Sequence, residues 1–173
     1  MINVLSKAPD FKAEAVVGKG DFKTITLSEN KGKFTVLFFY PLDFTFVCPT
    51  EIKEFSARAD EFKKCNASVI GVSCDSKYSH KAWILNGLGE LTYPLVADYD
   101  KSIARAYGAL LEPQAHPTRA TFIIDPEGVV QYACYHSPNV GRSVSEIVRV
   151  LQGIETGEKC PVEWKAGEKT LGR

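Results

Sequence analysis

Apolar residues recur along this chain with two spacings, and the changes between them mark out strands and helices. Phe34-Thr-Val-Leu-Phe-Phe-Tyr40 is a continuous apolar run, as in a strand covered on both faces by helices. Ser68-Val-Ile-Gly-Val-Ser73 repeats that pattern in shorter form. Alternating stretches at Phe11–Val17 and Phe22–Leu27 flank Gly18-Lys-Gly-Asp21 and predict an N-terminal β-hairpin. Ala120–Ile124 and Val129–Tyr135 bracket Asp125-Pro-Glu-Gly128. Pro at the second position of that tetrapeptide and Gly at the fourth suit a type I turn, so an antiparallel pair is expected.

Helical spacing takes over between these segments. From Pro49 to Lys64, Ile52, Phe55, Ala59 and Phe62 fall on one face, and Pro49 fits the first helical position, where a missing N–H is no loss. Ser143 and Glu146 read as a capping box ahead of the stripe Val144, Ile147, Val148 and Leu151, with Gly153 as the stop. Shorter helices are expected at Ser79–Leu85 and Ser102–Tyr107. The alternation predicts an α/β fold with a mixed central sheet flanked by helices. Residues 1–152 would form that domain. The polar, glycine-containing stretch 153–173, with Cys160 in it, reads as a mobile C-terminal tail.

Composition narrows function mainly by exclusion. The 173 residues suit one domain, and 45% hydrophobic with 11% aromatic content is enough to fill a core. Twenty-one basic residues balance 21 acidic ones, which argues against a nucleic-acid binder or a membrane-surface protein. No apolar stretch approaches the ~20 residues that span a bilayer. The opening Met-Ile-Asn-Val-Leu-Ser-Lys lacks the pattern of a secretory signal, so a cytoplasmic location is expected.

The five cysteines, at 48, 65, 74, 134 and 160, include no C-x-x-C pair. His80, His116 and His136 stand at no zinc-ligand spacing from them, so neither a metal nor another cofactor is expected. Cys65, Cys74 and Cys134, beside or within apolar elements, read as packing residues. Cys48 differs, because it lies where the chain leaves one strand and enters a helix. A helix N-terminus carries unpaired N–H groups and a positive partial charge that favour a thiolate. Placement alone leaves open whether Cys48 is reactive or an inert loop residue.

Phe39-Tyr-Pro-Leu-Asp-Phe-Thr-Phe-Val-Cys-Pro-Thr-Glu51 resembles the peroxidatic motif of the typical 2-Cys peroxiredoxins, the group that includes the peroxidase component of alkyl hydroperoxide reductase. The likeness extends to Ala8-Pro-Asp-Phe11, Thr118–Asp125, Val140-Gly-Arg-Ser143 and Gly157-Glu-Lys-Cys-Pro161, in the family's order. It implies a thioredoxin-like fold and a thiol peroxidase acting on hydrogen peroxide and organic hydroperoxides. Cys48 would be the nucleophile that becomes a sulfenic acid. Thr45 would hydrogen-bond the peroxide, Arg119 would hold the thiolate and the peroxide oxygens, and Pro41 would shield the thiolate from water. Glu51 and Arg142 would support Arg119. Cys160 would be the resolving cysteine, closing an intersubunit disulfide with Cys48 in a homodimer, commonly built into a decamer. The reductant would be thioredoxin or a flavoprotein reductase. A redox-regulated chaperone and a thiol–disulfide oxidoreductase are the alternatives, the second disfavoured by the missing C-x-x-C.

Donors matter more in such a reaction than thiol acidity. Lowering a thiol pKa from ~8.5 to ~6 raises the thiolate fraction at pH 7 about 30-fold but lowers nucleophilicity about tenfold. The remaining acceleration must come from groups that stabilise charge on the peroxide oxygens. The chain also departs from the family pattern. Asn86-Gly-Leu-Gly89 stands where Gly-Gly-Leu-Gly is common, no Tyr-Phe follows Cys160, and His116-Pro-Thr118 leads into Arg119. The first two departures imply easy local opening and a Cys48 that resists overoxidation.

Overall fold

Strands β1 (Lys12–Gly18), β2 (Asp21–Thr26), β3 (Phe34–Phe39), β4 (Ala67–Ser73), β5 (Leu91–Ala97), β8 (Arg119–Ile124) and β9 (Val130–His136) form one sheet, while β6 (Leu110–Leu111) and β7 (His116–Pro117) pair apart from it. The structure is a computed structural model describing residues 2–173. The sheet order is β2-β1-β5-β4-β3-β8-β9. β4 runs parallel to β3 and β5, and the other neighbours are antiparallel. The expected mixed sheet is therefore present, with β3 near its middle and both hairpins in place.

The helices are α1 (Cys48–Ala57), α2 (Ala59–Lys64), α3 (Lys77–Trp83), α4 (Ser102–Ala106) and α5 (Val144–Thr156). β3 shows how they are distributed. Val36, Phe38 and Tyr40 pack with Ile52, Phe55, Phe62, Ile147 and Leu151 on one side. Leu37 and Phe39 face the other side, against Ile103, Ala104 and Tyr107. A strand buried on both faces needs this continuous apolar run. Gly71 of β4 is required by close approach, since a Cβ there would lie 2.8 Å from both Phe38 Cζ and Leu95 Cδ2.

Three sequence readings are corrected, and one strand is added. The helix expected over Pro49–Lys64 starts at Cys48 and breaks at Arg58, whose guanidinium is held by Glu61 and Ser145. The break loses no burial, because Ile52, Phe55 and Phe62 still share one core. β5 went unassigned because Pro94 interrupts its pattern. The strand tolerates this proline because Pro94 lies opposite the register shift between Val16 and Gly18. α5 continues through Gly153 and stops at Gly157, which takes φ +63°. Only half of the expected capping box forms: Ser143 accepts from the Glu146 N–H, but the Glu146 carboxylate is bound by Arg149.

The tail is packed more closely than its polarity implies. Trp164 is buried, and its ring lies 3.8 Å from where a Gly153 Cβ would stand. The Lys159 N–H donates to Gly172 O at 2.9 Å and the Leu171 N–H to Lys159 O at 2.8 Å. Among the described residues, no helix is long and apolar enough to cross a membrane.

Candidate active site

The chain leaves β3 at Phe39, crosses a loop through Pro41 and Thr45, and enters α1 at Cys48. Val47 supplies no side-chain cap, Pro49 has no N–H, and the Thr50 and Glu51 N–H groups donate to Val47 O at 3.1 and 3.4 Å, so the Cys48 N–H is what the first turn of α1 leaves without a partner among the described residues. Cys48 is fully buried at that point. One turn on, Glu51 projects from the same helix and is also buried.

Two arginines from distant segments converge on this turn. Arg119, the first residue of β8, brings Nη1 to 3.4 Å from Cys48 Sγ and 2.6 Å from Glu51 Oε2, and its Nε donates to Pro138 O at 2.8 Å. Arg142, in the segment between β9 and α5, donates from its backbone N and its Nε to Glu51 Oε1 at 2.8 and 2.9 Å. Its remaining nitrogens reach Ala120 O, Thr121 Oγ1 and Phe39 O. Burial pushes the Arg142 guanidinium down from the usual arginine range, against the opposing pull of Glu51. It still carries its charge at neutral pH.

The charges of this buried cluster do not cancel. Two guanidiniums and one carboxylate leave a single positive charge beside Cys48 Sγ. A negative charge on the sulfur, or on an oxygen bound beside it, would bring the cluster to neutrality. Arg119 can stabilise both the sulfur anion and an oxygen brought next to it, since its Nη1 already stands within reach of the thiol.

Pro41 is buried on the loop, and Thr45 is half-buried there, its hydroxyl donating to Leu42 O at 2.9 Å. That bond leaves the Thr45 oxygen free to accept a hydrogen from a ligand. The fold thus gathers Cys48, Glu51, Arg119 and Arg142 into direct contact and sets Pro41 and Thr45 on the adjoining loop. Cys160 of the same chain has a separate neighbourhood, with Sγ 3.7 Å from Thr156 Oγ1 and 3.8 Å from the carbonyls of Gly153 and Glu158. The sequence reading missed the main-chain carbonyls of Pro138 and Phe39, which aim the two arginines and leave no side-chain signal.

The other cysteines are poor nucleophiles or lie elsewhere. Burial pushes both the Cys65 and Cys74 thiols up to about 12. Cys134 lies on β9, in register with Thr121. Among the described residues, no group of three His, Cys, Asp or Glu side chains could hold a metal ion.

Residues 4–133 match the AhpC/TSA family. The chain is 50% identical over 176 residues to the 2-Cys peroxiredoxin BAS1 of the spinach chloroplast, covering 96% of this chain and 66% of that one. It superposes on the reduced 2-Cys peroxiredoxin of Plasmodium vivax with a TM-score of 0.93 and 38% identity, covering 98% and 93% of the two chains. AhpC of Mycobacterium tuberculosis gives a TM-score of 0.86 at 36% identity, with 95% and 99% covered.

Proposed function

The chain belongs to the AhpC/TSA family as a 2-Cys peroxiredoxin of thioredoxin-like fold, a thiol-dependent peroxidase, and on that premise we propose that Cys48 is the thiol that reacts with the peroxide. The observation that carries this reading is the Arg119 Nη1 donor 3.4 Å from Cys48 Sγ, held in place by Glu51 and Pro138 O. The Cys48 thiolate attacks the terminal peroxide oxygen, and the O–O bond breaks. The sulfur keeps that oxygen as a sulfenic acid, while the departing alkoxide or hydroxide takes a proton and leaves as alcohol or water. Arg119 stabilises the negative charge as it moves from sulfur to oxygen, and Glu51 with Arg142 keeps its guanidinium oriented. Thr45 accepts the hydrogen of the bound peroxide, and Pro41 keeps water off the sulfur.

The partner subunit's Cys160 then attacks the Cys48 sulfur, water departs, and an intersubunit disulfide forms. Cys48 is fully buried and Cys160 half-buried, so the first turn of α1 and the tail must both open for these sulfurs to meet. β9 supports a homodimer, since it is an edge strand that leaves backbone groups for a second copy to pair with. Larger assembly of these dimers, a decamer among them, follows the same reading. A dithiol reductant, thioredoxin or a flavoprotein-linked one, returns both cysteines to thiols. The catalytic domain, expected over residues 1–152, runs on to the end of α5 at Thr156, the resolving segment follows it, and we place the protein in the cytoplasm.

The test is peroxide consumption by the purified full chain with a thiol reductant, together with mass analysis of each cysteine. Wild-type protein should consume peroxide and carry its first oxidation at Cys48. Cys48→Ser should consume none; activity that survives this substitution would overturn the assignment.

A further inference from the structure

The loop that carries Pro41 and Thr45 is tied to the rest of the fold chiefly through one residue. Between Pro41 and Phe46, among the described residues, the only main-chain hydrogen bond that leaves the loop runs from the Asp43 N–H to Asp75 Oδ2, at 2.9 Å. The buried Asp43 side chain adds three further contacts. Oδ1 accepts from Tyr40 Oη at 2.9 Å, Oδ2 accepts from Ser79 Oγ at 2.7 Å, and Oδ2 meets His80 Nδ1 at 2.8 Å. Asp75 is itself held by Ser73 Oγ at 2.8 Å. Phe44, beside Asp43, takes φ +55° and sets its ring 5.6 Å from that of Trp83 on α3.

His80 is fully buried, and its second nitrogen lies 3.2 Å from Val96 O of β5. A backbone carbonyl only accepts, so Nε2 carries a hydrogen. Nδ1 and Asp43 then share one further proton between them. Among the described residues, no hydrogen bond or ion pair joins these groups to Cys48, Glu51, Arg119 or Arg142, so the two polar networks are separate, although Tyr40 and Cys48 share one apolar cluster.

We propose that Asp43 and His80 are positioning residues for the peroxide: their buried contact pins the loop to α3 and β5, so that Thr45 and Pro41 stand correctly over Cys48. The proposal rests on Cys48 being the peroxide-reactive thiol. It assigns the pair no part in activating the sulfur. Loss of the pair should slow reactions that need the loop and spare reactions that need only a nucleophilic thiol.

Two rates measured on Cys48 of the full chain separate these roles. One is the reaction with hydrogen peroxide, followed by rapid mixing; the other is alkylation by iodoacetamide, which has no use for the loop. Misplacing a binding group by an ångström slows a reaction about 100-fold, so Asp43→Ala and His80→Phe should lose about that much with peroxide while alkylation stays within about threefold of wild type. Asp43→Asn, whose amide can donate to Nδ1 of a neutral ring, should keep most of the peroxide rate. Ser79→Ala, which removes one donor, should show a smaller split and reads the same effect if a harsher variant fails to fold.

Unchanged peroxide rates in Asp43→Ala, His80→Phe and Ser79→Ala would overturn the proposal. Equal losses in both reactions would overturn it as well, by showing general damage. A fall in Asp43→Asn as large as in Asp43→Ala would do the same, by making charge the operative property. If peroxide left Cys48 of the wild type unmodified, the reading of Cys48 would itself fail, whatever these variants did.

Discussion

Glu51 holds more of the site than one charge implies, because two buried guanidiniums share it. In Glu51→Gln the amide keeps one acceptor but turns a donor toward an arginine, leaving two cations without a counter-ion. Removing one partner of a buried ion pair destabilises by about 3–5 kcal/mol, so urea denaturation of Glu51→Gln should show a loss of that order. Arg119→Lys keeps the charge but not the fork that bonds Glu51, Pro138 O and the sulfur together. Losing a donor aimed at developing oxyanion charge slows catalysis about 10²- to 10³-fold, and the second-order rate with peroxide should fall accordingly in Arg119→Lys. A rate within a few-fold of wild type would mean that only the charge matters.

At the level of elements, Gly71 shows how a strand far from the chemistry supports it. The Phe38 ring stacks on Phe55 at 4.3 Å between centroids and lies beneath the Arg142 guanidinium at 5.1 Å. Overpacking a filled core destabilises by about 1–3 kcal/mol, which is the loss expected for Gly71→Ala in chemical denaturation. Its peroxide rate should fall too, because the displaced ring presses on Arg142. α4 makes a different prediction. Its first turn is capped by the buried Asp98, which accepts from the Ile103 and Ala104 N–H groups, yet burial pushes its carboxyl up to about 6. An unfolded Asp titrates near ~3.9. The folded chain therefore keeps a proton that the unfolded chain has released. The stability this group contributes is fully present below about pH 4 and is lost as pH rises through about 6. Asp98→Asn cannot titrate, so melting temperatures should shift in the variant's favour across that interval and keep a constant offset above it.

For the whole molecule, the proposed roles of Cys48 and Cys160, which lie in separate neighbourhoods of one chain, predict a disulfide between two copies. Peroxide should convert the protein to a disulfide-linked dimer on a non-reducing gel. Cys160→Ser should abolish that species while Cys48 still reaches the sulfenic acid, which a dimedone-type probe would trap. A linkage mapped to Cys65 or Cys74 would contradict the assignment, since burial holds both as thiols.

The layered α/β architecture and the position of Cys48 at a helix start are legible in the residues themselves, because Phe34–Tyr40 and the Ile52–Phe55–Phe62 face are determined by local periodicity. The same holds for the Asp125–Gly128 turn, whose residues choose their own backbone conformation. β5 was hidden, since a proline in a central strand is acceptable only where its pairing is irregular, and the bulge that Pro94 occupies against β1 is revealed by no window of sequence. The end of α5 was misread because Gly153 looks like a stop, whereas in the fold it faces the Cys160 sulfur and the Trp164 ring. Glu51, Arg119 and Arg142 lie up to 91 positions apart, and only the register of β3 against β8 brings the two arginines onto one carboxylate. Asp43 and His80 gave no signal, for an Asp in a loop and a His in a short helix are ordinary until the fold buries them together. Local sequence encodes backbone preference and which face is apolar; which polar groups share one desolvated space is decided by long-range packing alone.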